Sequence, residues 1–322
     1  MLLSIIIPMF NSKNTIRRAI KSCLVGNLTD TEIILVDDGS TDSTVNVVNK
    51  SFKQEIDSNI IKIINSDHGG AGNARNIGIQ NSKGIWIIFL DSDDEFINLE
   101  NVKKDITSLD KSITILNYTP NFVRYGKSIL YGKEYISDNL GLSNDNKKNW
   151  DSGPVYKCYK KSFLEKNNIK FPKNIKIGED QVFNLQCLLK NSKVLTKRRY
   201  MYQIHEEKNS ITHKIIPFSI VSDATTLVKR VLQFDITNDL KEKFVAKNFI
   251  LVLVRFLKSN AEDTTIIEAL ISYKKIFPIK KSFLIFCELH SVLNPFKIFI
   301  AWITWVNPKI LKLIFRRIVK SN

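Results

Sequence analysis

Cysteine is scarce in this chain. Cys23, Cys158, Cys187 and Cys287 are scattered through 322 residues, with no CxxC or CxxxC pair. That spacing argues against a disulfide framework or a zinc site and fits a reducing compartment. The opening "MLLSIIIPMFN" lacks the basic start, long apolar centre and small-residue cleavage site of a secretory signal, so it reads as a first strand. No stretch reaches the ~18 clean apolar residues that a spanning helix needs. A cytoplasmic protein is the expectation. Neither GxGxxG nor GxxxxGKS/T occurs, so hydride-transfer and P-loop mechanisms have no loop to use. Repeats and low-complexity tracts are missing too, and with 43 % hydrophobic residues the chain reads as globular rather than disordered.

Negative charge is also in short supply, at 32 Asp+Glu against 48 Lys+Arg, a net charge of +16. From Tyr273 onward there are ten Lys/Arg and one acid, Glu288, a local balance of 10 − 1 = +9. Such an end calls for an anionic partner. As a helix, "NPKILKLIFRRIVKSN" gathers Lys309, Lys312, Arg316 and Lys320 on one face and Ile310, Leu311, Ile314, Phe315 and Ile318 on the other. Just before it, Trp302 and Trp305 are residues that favour a headgroup boundary. The expectation is an interfacial amphipathic tail on an anionic membrane. The competing reading is a helix packed on the domain with a solvated basic face. A nucleic-acid binder would need a recognised motif or an aromatic-basic platform, and neither is present.

What the chain does have is an alternation of apolar runs and helical spacings. "LLSIIIPMF", "TEIILVDDGS", "NIIKIINSD" and "GIWIIFLDSDD" read as strands, and the first is apolar enough to be covered on both faces. Helical patterns follow, as in "NSKNTIRRAIKSCLVG" with Ile16, Ile20 and Leu24 in phase. This rhythm predicts an α/β fold with a mostly parallel, doubly wound, Rossmann-like sheet, whose ligands bind beyond the carboxyl ends of the strands. Patterning loosens from about Asn98 to Lys176, then turns helical. The expected division is a catalytic domain over 1–210 and a helical, basic C-terminal region over 211–322.

Four constellations carry chemistry. In "DSDD", Asp91 and Asp93 at a strand end can hold an oxygen-preferring divalent ion, although solvated or capping loop carboxylates look the same in sequence. In "VDDGSTDST", Asp37 and Asp38 can accept from a ribose hydroxyl or a base N–H, or can simply shape a turn. "HGGAGNARNIG" offers backbone N–H groups at a helix start and one cation, Arg75, which suit a phosphate or a sugar ring. In "IGEDQVFN", Glu179 and Asp180 either favour the helix macrodipole or supply a general base.

The ordered set resembles the inverting glycosyltransferases of family two, which have the GT-A fold. The resemblance runs from "SIIIPMFN" through "VDDGSTDST", "GGAGNARNIG", "FLDSDD" and "FPKNIKIGEDQVFN" to about Thr212. It implies that Pro8 borders the base, that Asp38 contacts uracil or ribose with Asp37 beside it in the nucleotide-sugar site, and that Gly70 and Arg75 help close that site. It makes Asp91, Ser92 and Asp93 the DxD segment binding Mn²⁺ or Mg²⁺, with Asp93 the direct ligand and Asp94 a helper. Asp180 would be the catalytic base, with Glu179 holding the acceptor or orienting the loop. "YMYQIHEEKNSIT" looks like the family's closing segment, where Tyr202, His205 and Ser210 approach the diphosphate, although it departs from the commoner Arg-containing version. The implied reaction moves a sugar from a nucleotide donor, UDP-linked, to a hydroxyl of a surface polysaccharide, capsule, lipopolysaccharide or teichoic-acid-like glycan, at the inner face of the membrane. The alternatives are a metal-dependent nucleotidyltransferase and a basic nucleic-acid-binding protein.

Overall fold

The computed structural model of the chain describes residues 1–26, 28–119, 129–143, 152–173, 175, 177–205, 219–258, 263–277, 279, 285, 289 and 295–308. Its contacts divide it into two compact units. The first comprises Met1–Asn139, Lys147–Asn174 and Glu179–Lys208; the second comprises Leu140–Asn146, Ile175–Gly178 and Asn209–Asn322.

The first unit is built on an eight-stranded sheet. The four predicted strands are present as β1 (Leu3–Met9), β2 (Thr31–Asp37), β3 (Ile61–Asn65) and β4 (Trp86–Phe89). They lie parallel in the order β3-β2-β1-β4, with Ile5 facing both Ile33 and Ile88. All seven residues of β1 are buried, as a strand flanked on both edges and covered on both faces requires. Beyond β4 the sheet continues with β8 (Lys157–Lys160), β6 (Ile115–Thr119), β9 (Lys193–Arg198) and β7 (Ile129–Tyr131). β8 runs antiparallel to both β4 and β6, and β7 antiparallel to β9, so six of the eight strands point one way. The mostly parallel α/β sheet predicted from the sequence is therefore observed. The reversed strand β8 was not legible, because "VYKCYKK" has no clean alternation.

Helices cover the sheet where apolar spacing allows. α1 (Ile16–Cys23) buries Ile16, Ala19, Ile20 and Cys23, the spacing of one helix face. α2 (Thr44–Ser51) follows β2, and the Asp42 carboxylate accepts the Thr44 N–H at 2.9 Å in its first turn. α3 (Lys53–Asp57) leads towards β3. α4 (Ala71–Asn81) packs directly on β1: a Cβ added at Gly78 would lie 2.3 Å from Ile6 Cγ2, so only glycine admits this approach. A two-stranded sheet pairs β5 (Glu95–Phe96) with β10 (Tyr202–Gln203), antiparallel, with Tyr202 opposite Phe96. α5 (Leu99–Thr107), a 3-10 helix (Gly132–Tyr135), α6 (Ile136–Asn139), α7 (Lys161–Lys166) and α8 (Glu179–Leu189) complete the unit's helices among the described residues.

The second unit is helical, with α9 (Ser219–Leu232), α10 (Asn238–Lys258), α11 (Asp263–Ile276) and a further helix, Pro295–Val306. Its core includes Val228, Val231, Phe244, Phe249, Leu270, Tyr273 and Trp305. Trp305 stands edge-on to Phe249, with ring centroids 4.8 Å apart. That corrects the interfacial assignment for this residue. Trp305 is 3 % exposed and satisfies its apolar surface within protein, which a sequence pattern cannot distinguish from lipid. The basic segment from Lys309 onward lies outside the described residues. Among those residues, no helix is long and apolar enough to cross a membrane.

Candidate active site

The acidic motifs of the sequence meet at the carboxyl edge of the parallel strands. β2 ends in Asp37, and β4 is followed by Leu90 and the acidic turn from Asp91 to Asp94. α4 begins at Ala71 and α8 begins at Glu179. Arg75, one turn into α4, is 4 % exposed and joins these parts. Its Nη2 bonds Asp91 Oδ1 at 2.8 Å, and its Nη1 bonds Asp180 Oδ1 at 2.7 Å, with Glu179 Oε1 at 3.5 Å. The guanidinium also lies 5.4 Å from the centre of the Phe171 ring, which stacks on Phe183 of α8 at 4.0 Å.

Burial alone would lower the pKa of Arg75, but the charges of Asp180, Asp91 and Glu179 more than reverse that and keep it cationic. One cation then faces three carboxylates, a balance of 1 − 3 = −2 when all are ionised. The excess negative charge has a consequence. Burial raises the Asp180 pKa, Arg75 opposes, and Glu179 and Asp91 raise it further, to about 7. Glu179 is also raised, first by burial, against Arg75. A carboxyl held near neutrality is suited to proton transfer.

Asp38 is committed to holding the glycine loop. Its Oδ1 accepts the Gly69 N–H at 2.8 Å and its Oδ2 the Gly70 N–H at 2.9 Å, while His68 Nδ1 lies 2.9 Å from Oδ2. The loop N–H groups expected to face a phosphate are therefore turned onto a carboxylate, and Arg75 onto three more. An anion of the protein itself satisfies these donors, which spacing alone did not reveal. Asp37 differs. Its Oδ2 accepts the Ser40 N–H at 3.1 Å, and its buried Oδ1 has no hydrogen-bond partner. Gly70, at φ +85°, has nothing within 4 Å of where a Cβ would stand, so the backbone there borders open space. Pro8 is buried within β1, opposite Val36.

The acidic turn is held from two sides. Ser92 Oγ lies 2.7 Å from Ser12 Oγ, and Arg18 of α1 donates to the Asp93 carbonyl. Asp94 accepts from the Tyr202 hydroxyl at 2.7 Å and from the His205 backbone N–H at 2.9 Å. The same Tyr202 oxygen accepts the Asp91 N–H at 3.2 Å, and His205 Nε2 lies 2.9 Å from Glu95 Oε1. Burial raises the Asp94 pKa against these hydrogen bonds. Tyr202 and His205 are thus brought to the acidic turn, with Asp94 as their anchor; Ser210 lies outside the described residues.

Three residues escaped the sequence reading. Phe10, 45 % exposed just past β1, packs against the His68 ring at 4.5 Å and offers an aromatic face beside the glycine loop. Lys157 of β8 is fully buried, donates to the Gly153 carbonyl at 2.6 Å, and its charge lowers the Asp180 pKa. An aromatic after the first strand was a usable signal. The buried lysine and the ring partner His68 gave none.

Among the described residues, no cluster of three His, Cys, Asp or Glu side chains could hold a metal ion. The donor chemistry nevertheless fits a hard cation that takes most of its ligands from phosphate and water. Asp91 remains 37 % exposed beside its bond to Arg75, and Asp93 is half-buried next to it.

Fold and site together define an α/β protein with a cluster of acids around one arginine at the carboxyl ends of parallel strands. Residues 4–167 match the family model described as glycosyl transferase family 2, and the chain belongs to that family. Among curated relatives, it is 34 % identical over 206 residues to a poly(ribitol-phosphate) beta-glucosyltransferase of Bacillus spizizenii, a match covering 63 % of this chain and 32 % of that one. It is 26 % identical over 251 residues to the poly(ribitol-phosphate) beta-N-acetylglucosaminyltransferase TarS of Staphylococcus aureus, covering 76 % and 43 %. The chain thus spans about a third to under half the length of these two relatives. Among solved structures, S. aureus TarS 1–349 in complex with UDP-GlcNAc superposes with a TM-score of 0.66 at 20 % identity, over 98 % of this chain and 93 % of that one. The mannosyltransferase PcManGT from Pyrobaculum calidifontis, in complex with GDP-Man and Mn²⁺, gives 0.55 at 14 %, over 95 % and 87 %. The fold is the GT-A fold expected from the resemblance.

Proposed function

We propose that the protein transfers a sugar from a UDP-sugar to a hydroxyl of a phosphate-containing surface polymer of the teichoic-acid type, with inversion at the anomeric carbon. The observation that carries this reading is the buried Arg75, which joins Asp91 of the acidic turn and Asp180 at the head of α8 in one ion cluster. Donor-side and acceptor-side acids sit either side of a single guanidinium. The poly(ribitol-phosphate) transferases among the relatives support the acceptor class, and the UDP-GlcNAc complex of TarS supports the donor class.

In this mechanism Phe10 and the unpartnered oxygen of Asp37 receive the nucleobase. Asp93 and Asp91 would hold a Mn²⁺ or Mg²⁺ ion, which when bound neutralises charge developing on the departing diphosphate. Asp180 takes the proton of the acceptor hydroxyl as that oxygen attacks the anomeric carbon. The bond from that carbon to the diphosphate oxygen breaks, and its electron pair leaves with the diphosphate. Glu179 and Arg75 orient Asp180. Retention of the enzyme at an anionic membrane by the basic end from Tyr273 onward belongs to the same proposal.

The test is incubation with a panel of UDP-sugars, Mn²⁺ and ribitol-phosphate polymer, followed by detection of free UDP. Release of UDP that requires the polymer is expected. Pyrophosphate released from a nucleoside triphosphate, with no UDP from any sugar donor, would make the protein a nucleotidyltransferase instead.

A further inference from the structure

A cavity of about 750 Å³ lies in the first unit on the α1 side, lined among others by Lys13, Arg17, Arg18, Lys21, Glu95 and Phe96. No residue of the donor and base constellation lines it. Four of its lining residues are cations and one is an acid. That acid, Glu95, is already turned to His205 Nε2 at 2.9 Å. Lys13, Arg17 and Lys21 are exposed and follow one another at intervals of four, so they share one side of α1 and its approach.

Asp42 offsets the charge of Lys13, and Lys21 sits in the last turn of α1 where the dipole favours it, but the remaining arrangement is electrostatically unfavourable in the protein alone. Like charges four residues apart on a helix repel, and the first turn of α1 carries arginines and no acid, against the sign its amino-terminal dipole favours. Among the described residues, no carboxylate pairs with Arg17 or Lys21. A bound polyanion would relieve all of these repulsions at once.

The cavity's shape and rim narrow the class of anion. It is a concavity edged by four long cationic side chains, with the exposed Val25 as an apolar residue in its lining, whereas a lipid-binding surface would present a broad convex apolar face. Phe96 in its wall is 5 % exposed and cannot stack a base, so single-stranded nucleic acid finds no platform. A flexible chain of diester phosphates meets both conditions. The cavity is also tied to the acidic turn, because Arg18 spans from its wall to the Asp93 carbonyl.

We propose that the cavity bounded by Lys13, Arg17, Arg18 and Lys21 is an exosite for the phosphodiester backbone of a polyol-phosphate acceptor, separate from the donor crevice. The proposal rests on the transfer reading above for the acceptor class. Binding the backbone here holds the polymer on the enzyme between transfers.

A fluorescein-labelled ribitol-phosphate oligomer, titrated by fluorescence polarisation without donor, tests it. Three proteins are compared: wild type, the triple variant Lys13→Glu, Arg17→Glu, Lys21→Glu, and a control triple variant Lys50→Glu, Lys53→Glu, Lys83→Glu of equal charge change. The α1 variant is expected to lose about tenfold or more in affinity and to show a shallower salt dependence, while the control stays within about twofold of wild type. Equal affinity in the α1 variant, or equal loss in the control, overturns the exosite. So does a variant that keeps the oligomer but loses vesicles of phosphatidylcholine and phosphatidylglycerol, or oligo-dT, since the cavity would then serve lipid or nucleic acid. Donor affinity measured with UDP and Mn²⁺ should not change in the α1 variant, which separates a local effect from misfolding. Oligomer binding with no UDP release from any donor would sink the transfer reading and leave the exosite standing. Polymer-dependent UDP release with the same acceptor KM in both triple variants would do the reverse.

Discussion

At the scale of single residues, the cluster around Arg75 makes opposite predictions for its members. Removing Arg75 leaves three partly exposed carboxylates facing one another without their counter-ion, so Arg75→Met should lower stability in chemical denaturation, by less than the about 3–5 kcal/mol that breaking a fully buried pair costs. Removing one acid relieves an excess instead. Asp180→Asn should lower turnover about 10²–10⁴-fold while leaving the midpoint of unfolding unchanged or higher. Turnover near that of wild type would remove Asp180 from the role of base. The pH dependence has a definite sign. If Asp180 is the base as proposed, it must be deprotonated, so kcat/KM should rise as pH climbs through about 7, the value to which burial and its acidic neighbours bring Asp180. For stability the slope is reversed. A carboxyl whose folded pKa exceeds its unfolded one favours the fold while protonated, and that contribution fades as pH rises from the ordinary aspartate value towards about 7. Asp180→Asn should therefore flatten the fall in stability over that window, readable from denaturation midpoints at several pH values.

At the scale of elements, the acidic turn depends on a strand that is distant in sequence. Tyr202 of β10 bonds both Asp94 and the Asp91 N–H, so Tyr202→Phe should cost about 1–3 kcal/mol and raise the donor KM more than it lowers kcat. A donor KM equal to that of wild type would show that the turn keeps its shape without this hydroxyl. Packing of α4 on β1 is equally specific. Gly78→Ala should destabilise by about 1–3 kcal/mol through overpacking against Ile6. Element by element, legibility followed the reach of the forces involved. β1 to β4 were readable because doubly covered strands demand continuous apolar runs, and the position of the strand-end aspartates because the apolar runs of β2 and β4 stop at them. β8 was not, since an antiparallel strand inserted between β4 and β6 with a buried Lys157 obeys a partner and not a period. The residues of the crevice were legible as types, but their pairings were not. Nothing in "GGAGNARNIG" says that its N–H groups close on Asp38 and its arginine on Asp91, Glu179 and Asp180, because those partners are set by long-range packing.

At the scale of the whole molecule, charge is unevenly spread, with the +9 of the chain from Tyr273 onward lying among strongly apolar residues. Truncation after Pro308 removes five of its ten cations, Lys309, Lys312, Arg316, Arg317 and Lys320, and leaves Trp305 in place. The truncated protein should keep its unfolding transition but sediment less with vesicles containing phosphatidylglycerol. Sedimentation equal to that of the full chain would place membrane attachment elsewhere. Trp305→Ala should instead destabilise the second unit by about 3–5 kcal/mol, because its ring fills space beside Phe249.

The guanidinium shared by Asp91, Glu179 and Asp180 also bears on how the enzyme can be altered. Asp91→Asn and Asp180→Asn should not act additively, and a double-mutant cycle would register the communication between them. Under the proposed assignment of Asp91 to the donor and Asp180 to the acceptor, a change made for a new sugar should also shift how the recipient is activated. Under that assignment the two specificities are geared together, and selection for one is selection on both.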